Sequence, residues 1–320
     1  MTGIDELHRK WLEIKENLGR VVFGQENVKE RLAVCLFAGG HGLLEGVPGT
    51  AKTLLVLAFS RLLGCRFKRI QFTPDLMPAD ILGTNMFSQK TGEFEFHPGP
   101  LFTDILLADE INRTPPRTQA ALLEVMQEKG ATLDGVRHEI STVFTVFATQ
   151  NPVEFEGTYP LPEAQRDRFL LKISIDYPVA ESELAMLEAH LSGRRLFEEA
   201  LATLEPVLSL EDLAAAQTLI ATKVHVDRNI LEYIRGIVQE TRQDASVQLG
   251  AGPRASLALL DSSRALAALR GREFITPDDV KELAGSVLIH RVILSPESEM
   301  EGLLLEDVLR RIFDKMEVPR

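Results

Sequence analysis

The stretch Gly42-Leu43-Leu44-Glu45-Gly46-Val47-Pro48-Gly49-Thr50-Ala51-Lys52-Thr53-Leu54-Leu55 constrains this chain more than any other. A short apolar run stops at Gly46, a loop containing Gly and Pro follows, and a helical pattern begins near Lys52. Strand, loop and helix N-terminus in that order hold a phosphate: successive backbone N–H groups converge, and the helix dipole adds partial positive charge. The pattern G-x-x-x-x-G-K-[ST] is met at Gly46, Lys52 and Thr53, with Ala51 where the second Gly is expected. Alanine costs little there if its φ is negative, and Gly49 still allows close backbone approach. In this reading Lys52 reaches the β- and γ-phosphates and the Thr53 hydroxyl binds Mg²⁺, while Gly46, Val47, Pro48, Gly49, Thr50, Ala51 and Leu54 complete the cradle. The bland alternative is an ordinary Gly-Pro turn between strand and helix.

At 320 residues the chain is long enough for two domains, each with its own core. Its net charge of −12 argues against a sequence-independent nucleic-acid binder, which needs clustered Lys and Arg. The two cysteines, Cys35 and Cys65, lie in apolar helical surroundings and read as a reduced, buried pair. The acidic N-terminus is not expected to act as a signal peptide, and no apolar run approaches membrane-spanning length. The expectation is a cytoplasmic protein.

Along the chain, Ile4, Leu7, Trp11, Ile14 and Leu18 form one stripe of an amphipathic helix that Gly19 is expected to end. Val21 to Gln25 is a short apolar turn, and a second helix runs from about Glu26 to Ala38. Val22, Phe23, Gly24 and Gln25 either sandwich a purine base or simply connect two helices. Phe67 to Phe72 alternates as a strand. The Pro- and Gly-containing stretch from Thr73 to Pro100 predicts an insertion with a short helix or hairpin over Asp80 to Pro98. Ile105 to Ala108 is a buried strand ending in Asp109-Glu110. At the carboxyl end of a parallel strand this acid pair faces the same crevice as the Gly46 loop. Asp109 then holds Mg²⁺ through its water shell, and Glu110 polarises the attacking water.

A helix over Pro115 to Lys129 precedes a hairpin with Asp134-Gly135 at its turn, read either as a solvated hairpin or as a pore loop gripping a client. Val143 to Thr149 is another buried strand, followed by Asn151, a residue placed to reach the γ-phosphate. A short helix at Pro162 to Phe169 leads into a last strand, Leu170 to Ile175. Arg166 and Arg168 are surface ion-pair partners or complete a neighbouring subunit's site. Past Tyr177-Pro178 the strand signals vanish. Ser209 to Asp212 and Thr276 to Asp279 are capping boxes. Arg254 opens a helix over Ala255 to Leu269, where a cation is unfavourable unless an anion or a local acid is near.

Together these parts resemble the AAA+ ATPases, and within them the MoxR family. Gly46 to Thr53, Asp109-Glu110-Ile111-Asn112-Arg113, Ala148-Thr149-Gln150-Asn151-Pro152, Glu163 to Phe169 and Gly252-Pro253-Arg254-Ala255 carry the resemblance. It spans most of the chain, and Ala51 looks like usage within the MoxR family. The resemblance implies an α/β P-loop core with a parallel five-stranded sheet, followed by a smaller all-α lid. The implied division is an N-terminal helix at 1–20, a core at 21–177 and a lid at 178–320. The core would hold a helix-2 insert at about 80–98 and a pre-sensor-1 hairpin at about 129–142. Asn151 matches sensor 1, Arg254 sensor 2, and Arg168 the arginine finger, with Arg166 the second candidate. ATP and Mg²⁺ are the implied substrate and cofactor. Family members assemble as rings, usually hexameric, and act as chaperone-like ATPases beside proteins with von Willebrand factor A domains. They mature, or insert metal into, client proteins. A magnesium-chelatase-type motor subunit, a DNA-acting ring ATPase and a nucleotide-gated scaffold without turnover are the competing readings.

Overall fold

The computed structural model describes residues 1, 3–47, 49–150, 157–191 and 198–319. Two helices come first, α1 (Ile4–Val21) and α2 (Glu26–Phe37). Gly19 does not end α1, which continues to Val21. A glycine lacking a favourable stop remains helical when the apolar stripe on either side, here Leu18 and Val21, is fully buried.

The α/β layer follows: β1 (Gly42–Glu45), α3 (Lys52–Leu62), β2 (Phe67–Gln71), α4 (Pro78–Leu82), β3 (Gly83–Ser88), β4 (Glu93–Pro98) and β5 (Ile105–Asp109). A 3₁₀ turn (Ile111–Arg113) leads to α5 (Pro116–Glu128), β6 (Gly130–Leu133), β7 (Val136–Glu139), β8 (Thr145–Gln150), α6 (Glu163–Arg166) and β9 (Leu171–Ser174). Five of these strands form one parallel sheet in the order β2-β5-β8-β1-β9. Their near-continuous apolar runs suit a sheet covered on both faces. On one face lie α1, α2 and α3, with Trp11 stacked on Phe59 at 6.4 Å; on the other α5 contributes Leu122, Leu123 and Met126.

The 73–100 excursion is organised as expected: a one-turn helix, then the antiparallel β3–β4 hairpin. The second hairpin, β6–β7, turns at Asp134 and Gly135, both at positive φ. The hairpins touch each other, through Phe96 stacked on His138 at 3.9 Å and Asn85 Nδ2 donating to Asp134 Oδ2 at 2.6 Å.

After β9 helices dominate: α7 (Ala180–Leu191), α8 (Glu198–Ala202), α9 (Leu210–Lys223) and α10 (Arg228–Glu240). Then come β10 (Val247–Leu249), α11 (Pro253–Leu269), α12 (Pro277–Leu288), β11 (Ile293–Leu294), α13 (Pro296–Met300) and α14 (Leu305–Lys315). Strands do not vanish entirely, because β10 and β11 pair as a short antiparallel ribbon. Two- and three-residue strands are too short for alternation to register in the sequence. Both capping boxes form, with the Ser209 and Thr276 hydroxyls accepting from the Asp212 and Asp279 amides. The lid helix α11 packs on α1 and α2 of the N-terminal part, and His8 Nδ1 meets the Leu269 carbonyl at 2.6 Å.

Candidate active site

The carboxyl ends of β1, β5 and β8 stand side by side, and a cavity of about 480 Å³ opens there. Its walls are Gly46, residues 49–54 of the loop and the start of α3, then Arg69, Asp109 and Glu110, and Thr149 and Gln150. The expected crevice at strand ends is therefore present, with the acid pair facing the loop.

Gly46 is required by contact rather than by φ. A Cβ there would lie 2.2 Å from the Ile175 carbonyl oxygen, so the loop can start beside β9 only without a side chain. Gly49 has φ of +83°, in the left-handed region. Ala51 has φ of +61°, which corrects the expectation that alanine sits there at negative φ. The residue must turn the chain into α3 and accept the Leu55 amide as N-cap, so it takes the conformation that glycine would take without strain. The amides of the first turn of α3 have no intrahelical acceptors, and α3 carries no acidic residue there to satisfy its dipole. Lys52 Nζ donates to the Gly46 carbonyl. Burial lowers its pKa from the ordinary lysine value, while Asp109, Glu110 and Glu45 oppose that shift.

The acid pair is held by partners that sequence reading did not single out. Arg69 on β2 donates from Nε (3.1 Å) and Nη2 (2.6 Å) to Asp109 Oδ2. The Thr149 hydroxyl donates to Asp109 Oδ1 at 2.6 Å and accepts the Glu110 amide at 2.8 Å, tying the end of β5 to β8. Glu110 itself leaves the strand at φ of +56° and opens the 3₁₀ turn. Its Oε2 accepts from Gln71 Nε2 at 2.7 Å and pairs with Arg113 at 3.0 Å. Buried Gln119 pins that turn from below, donating to the Ile111 and Thr114 carbonyls at 3.2 and 3.1 Å. Arg69 and Gln71 are polar positions of an alternating strand. Only the β2-β5 register, which sets Gln71 opposite Asp109, reveals whom they meet.

The cavity does not gather every expected residue. Pro48 and Asn151 lie outside the described residues. Val47 and Val22 to Gln25 are not among its walls. Gly24 instead sits against Ser182 at the start of α7, and Gln25 Nε2 donates to the Asp176 carbonyl at 3.2 Å, near the end of β9. Arg168 and Arg254 are not in this cavity either. Both line a second cavity of about 250 Å³, together with Gln127, Asp167, Asp261 and Arg291. Arg168 Nε donates to Gln127 Oε1 at 3.2 Å, whereas Arg166 pairs with Glu163 at 3.3 Å. Of the cysteines, Cys35 is buried and Cys65 half-buried, and both are free thiols.

A parallel sheet with this phosphate loop, an acid pair at the end of the neighbouring strand and a helical lid define a P-loop ATPase core of the AAA+ kind. Residues 41–171 match the model of the ATPase family associated with various cellular activities (AAA), and residues 239–312 match the AAA lid domain. The chain is 46% identical to the Bacillus subtilis (strain 168) protein YeaC, over 98% of this chain and 97% of that one. It is 41% identical to Chaperone MoxR1 of Mycobacterium tuberculosis (strain ATCC 25618 / H37Rv), over 99% of this chain and 83% of the relative. Its fold matches a crystal structure from Cytophaga hutchinsonii ATCC 33406 with a TM-score of 0.90 at 39% identity, covering 98% of this chain and 96% of the other. The chain belongs to the MoxR family of AAA+ ATPases.

Proposed function

We propose that this ATPase hydrolyses ATP at the interfaces of a ring of identical subunits, and uses the turnover to remodel a client protein. The observation that carries this reading is the separation of its parts. The phosphate loop and acid pair line one cavity, while Arg168 and Arg254 line another. A triphosphate seated on the loop of one chain would meet no arginine of the expected pair unless a second copy supplied it.

The residues present fit a nucleotide with its metal. The loop can approach a phosphate because Gly46 and Gly49 leave it bare, and Lys52 lies among Asp109, Glu110 and Glu45 with an ammonium to offer. Thr53 and, through water, Asp109 would hold Mg²⁺, whose charge would offset that of the phosphate oxygens. Lys52 and the first-turn amides of α3 would hold the β- and γ-phosphates. Glu110 would align and polarise water in line with the terminal phosphoryl group, with Gln71 and Arg113 fixing its carboxylate. Val22 to Gln25 would flank the base, and Asn151 would contact the γ-phosphate region. Arg168 and Arg254 from the next subunit would meet charge developing on the transferred group, an effect worth about 10³ to 10⁵ in rate for arginines of this type.

The name of the Mycobacterium tuberculosis relative, a chaperone, supports the client-remodelling role. A partner with a von Willebrand factor A domain, metal insertion into the client, a hexameric ring and a cytoplasmic site of action belong to the same proposal. The test is turnover against binding. Glu110→Gln should retain ATP yet hardly hydrolyse it, and Arg168→Ala should keep nucleotide affinity but lose the rise of specific activity with protein concentration. Brisk hydrolysis by the first variant would remove Glu110 from its role. Wild-type activity per subunit that is equal at nanomolar and micromolar protein would refute the interface.

A further inference from the structure

Arg291 lies three residues beyond the C-terminal end of α12, and its side chain is only 3% exposed. A guanidinium withdrawn from water must find acceptors for its whole fork of N–H groups, or the burial is strongly unfavourable. Here Nε donates to Asp167 Oδ1 at 2.7 Å. Nη1 donates to the carbonyls of Leu170, at 3.2 Å, and Val287. Nη2 donates to those of Asp167 and Phe169, at 3.3 and 2.5 Å. The neighbouring His290 adds an Nε2 contact to the same Phe169 carbonyl at 3.1 Å.

Apart from Val287 in the last turn of α12, every acceptor of Arg291 belongs to residues 167–170, the connection between α6 and β9. Arg168 sits inside that connection, between two residues whose carbonyls the fork grips. Its side chain reaches the cavity shared with Arg254, braced by Gln127. The grip therefore comes from a lid residue, while the guanidinium that would serve the next subunit comes from the core.

We propose that Arg291 is a positioning residue for Arg168: by holding the backbone on both sides of it, the lid fixes where that guanidinium is presented to the neighbouring subunit. The effect of Arg291 is thus exerted at the neighbour's nucleotide and not at its own. This rests on the interface reading above. A residue needed only for folding would lower activity whichever subunit lacked it.

The test mixes two inactive chains. A donor, Glu110→Gln, keeps Arg168 but cannot align water. An acceptor, Arg168→Ala, keeps Glu110 but has no guanidinium to offer. Their mixture should regain ATPase activity wherever an acceptor's Glu110 faces a donor's Arg168. Adding Arg291→Met to the donor, which keeps an unbranched apolar stem, should lower kcat of the mixture about tenfold or more with KM for ATP changed less than about twofold, since misplacement by about 1 Å costs up to 10²-fold. Adding the same substitution to the acceptor should leave the regained activity within about twofold, which also shows that the substituted chain folds and assembles. Arg291→Lys in the donor should fall between, because an ammonium can pair with Asp167 but cannot also span the three carbonyls of the 167–170 connection. Equal losses from donor and acceptor, or no loss from the donor, overturn the proposal while leaving the interface intact. Failure of the parent mixture to regain activity refutes the interface reading and this proposal with it.

Discussion

The phosphate loop offers a sharp test of backbone conformation, because two of its positions, Gly49 and Ala51, have positive φ and only one of them is glycine. Ala51 at φ of +61° pays the left-handed penalty of an L-residue, about 1–2 kcal/mol. Ala51→Gly removes that strain but frees the unfolded chain, which takes back about 0.4–1 kcal/mol. The net expectation is a stabilisation of about 0.5–1 kcal/mol. Gly49→Ala runs the exchange in reverse at φ of +83°, where a Cβ would meet nothing within 4 Å, so no collision adds to the strain and the expectation is a net loss of similar size. Gly46→Ala adds collision with the Ile175 carbonyl, 2.2 Å from the new Cβ, and should cost more than about 2 kcal/mol as the loop is pushed off β9. For a chain of 320 residues, 1 kcal/mol corresponds to roughly 1–3 °C in Tm. Calorimetry and urea midpoints on the three variants should therefore rank Ala51→Gly above wild type, then Gly49→Ala, then Gly46→Ala. A lower melting point for Ala51→Gly would refute the left-handed assignment, because at negative φ the same change can only destabilise.

Burial holds the His41 pKa down at about 4 against the weaker pull of the Met126 carbonyl, with Lys129 adding to the depression, and burial likewise lowers His290. Between pH 6.5 and 4 the unfolded chain binds protons that the folded chain refuses, so stability should be complete above pH 6.5 and fall as pH drops, by about 3 kcal/mol for His41 alone. Urea midpoints that stay flat from pH 7 to 4.5 would count against this. Buried Asp279 accepts from both terminal nitrogens of Arg272 at 2.7 and 2.6 Å and caps α12, so Asp279→Ala should destabilise by about 3 kcal/mol. A loss below about 1 kcal/mol in urea titration would show the cluster to be dispensable. Arg69 is half-exposed, so Arg69→Ala should shift Tm by under about 2 °C; yet its guanidinium lines the phosphate cavity, and ATP affinity should fall about fivefold or more. Unchanged or tighter ATP binding by calorimetric titration would show that Arg69 only occupies Asp109.

The sequence by itself determined whatever depends on neighbours along the chain. Gly46 to Thr53 after an apolar run announces a strand, a turn and a helix start, and Ile105 to Glu110 announces a buried strand ending in acids. Ser209 and Thr276 mark helix ends because capping is a contact across three residues. Asp134-Gly135 fixes a hairpin because only certain residues accept its turn. The tertiary structure alone decided which separated groups meet. Arg69 and Thr149 find Asp109 through the strand order β2-β5-β8, which alternation within one strand cannot specify. Arg168 and Arg254, eighty-odd residues apart, share one cavity and not the phosphate-loop cavity, because the lid folds back onto the edge of the sheet near β9. The sign of φ at Ala51 was likewise settled by the direction in which α3 leaves the sheet, and not by alanine's own preference.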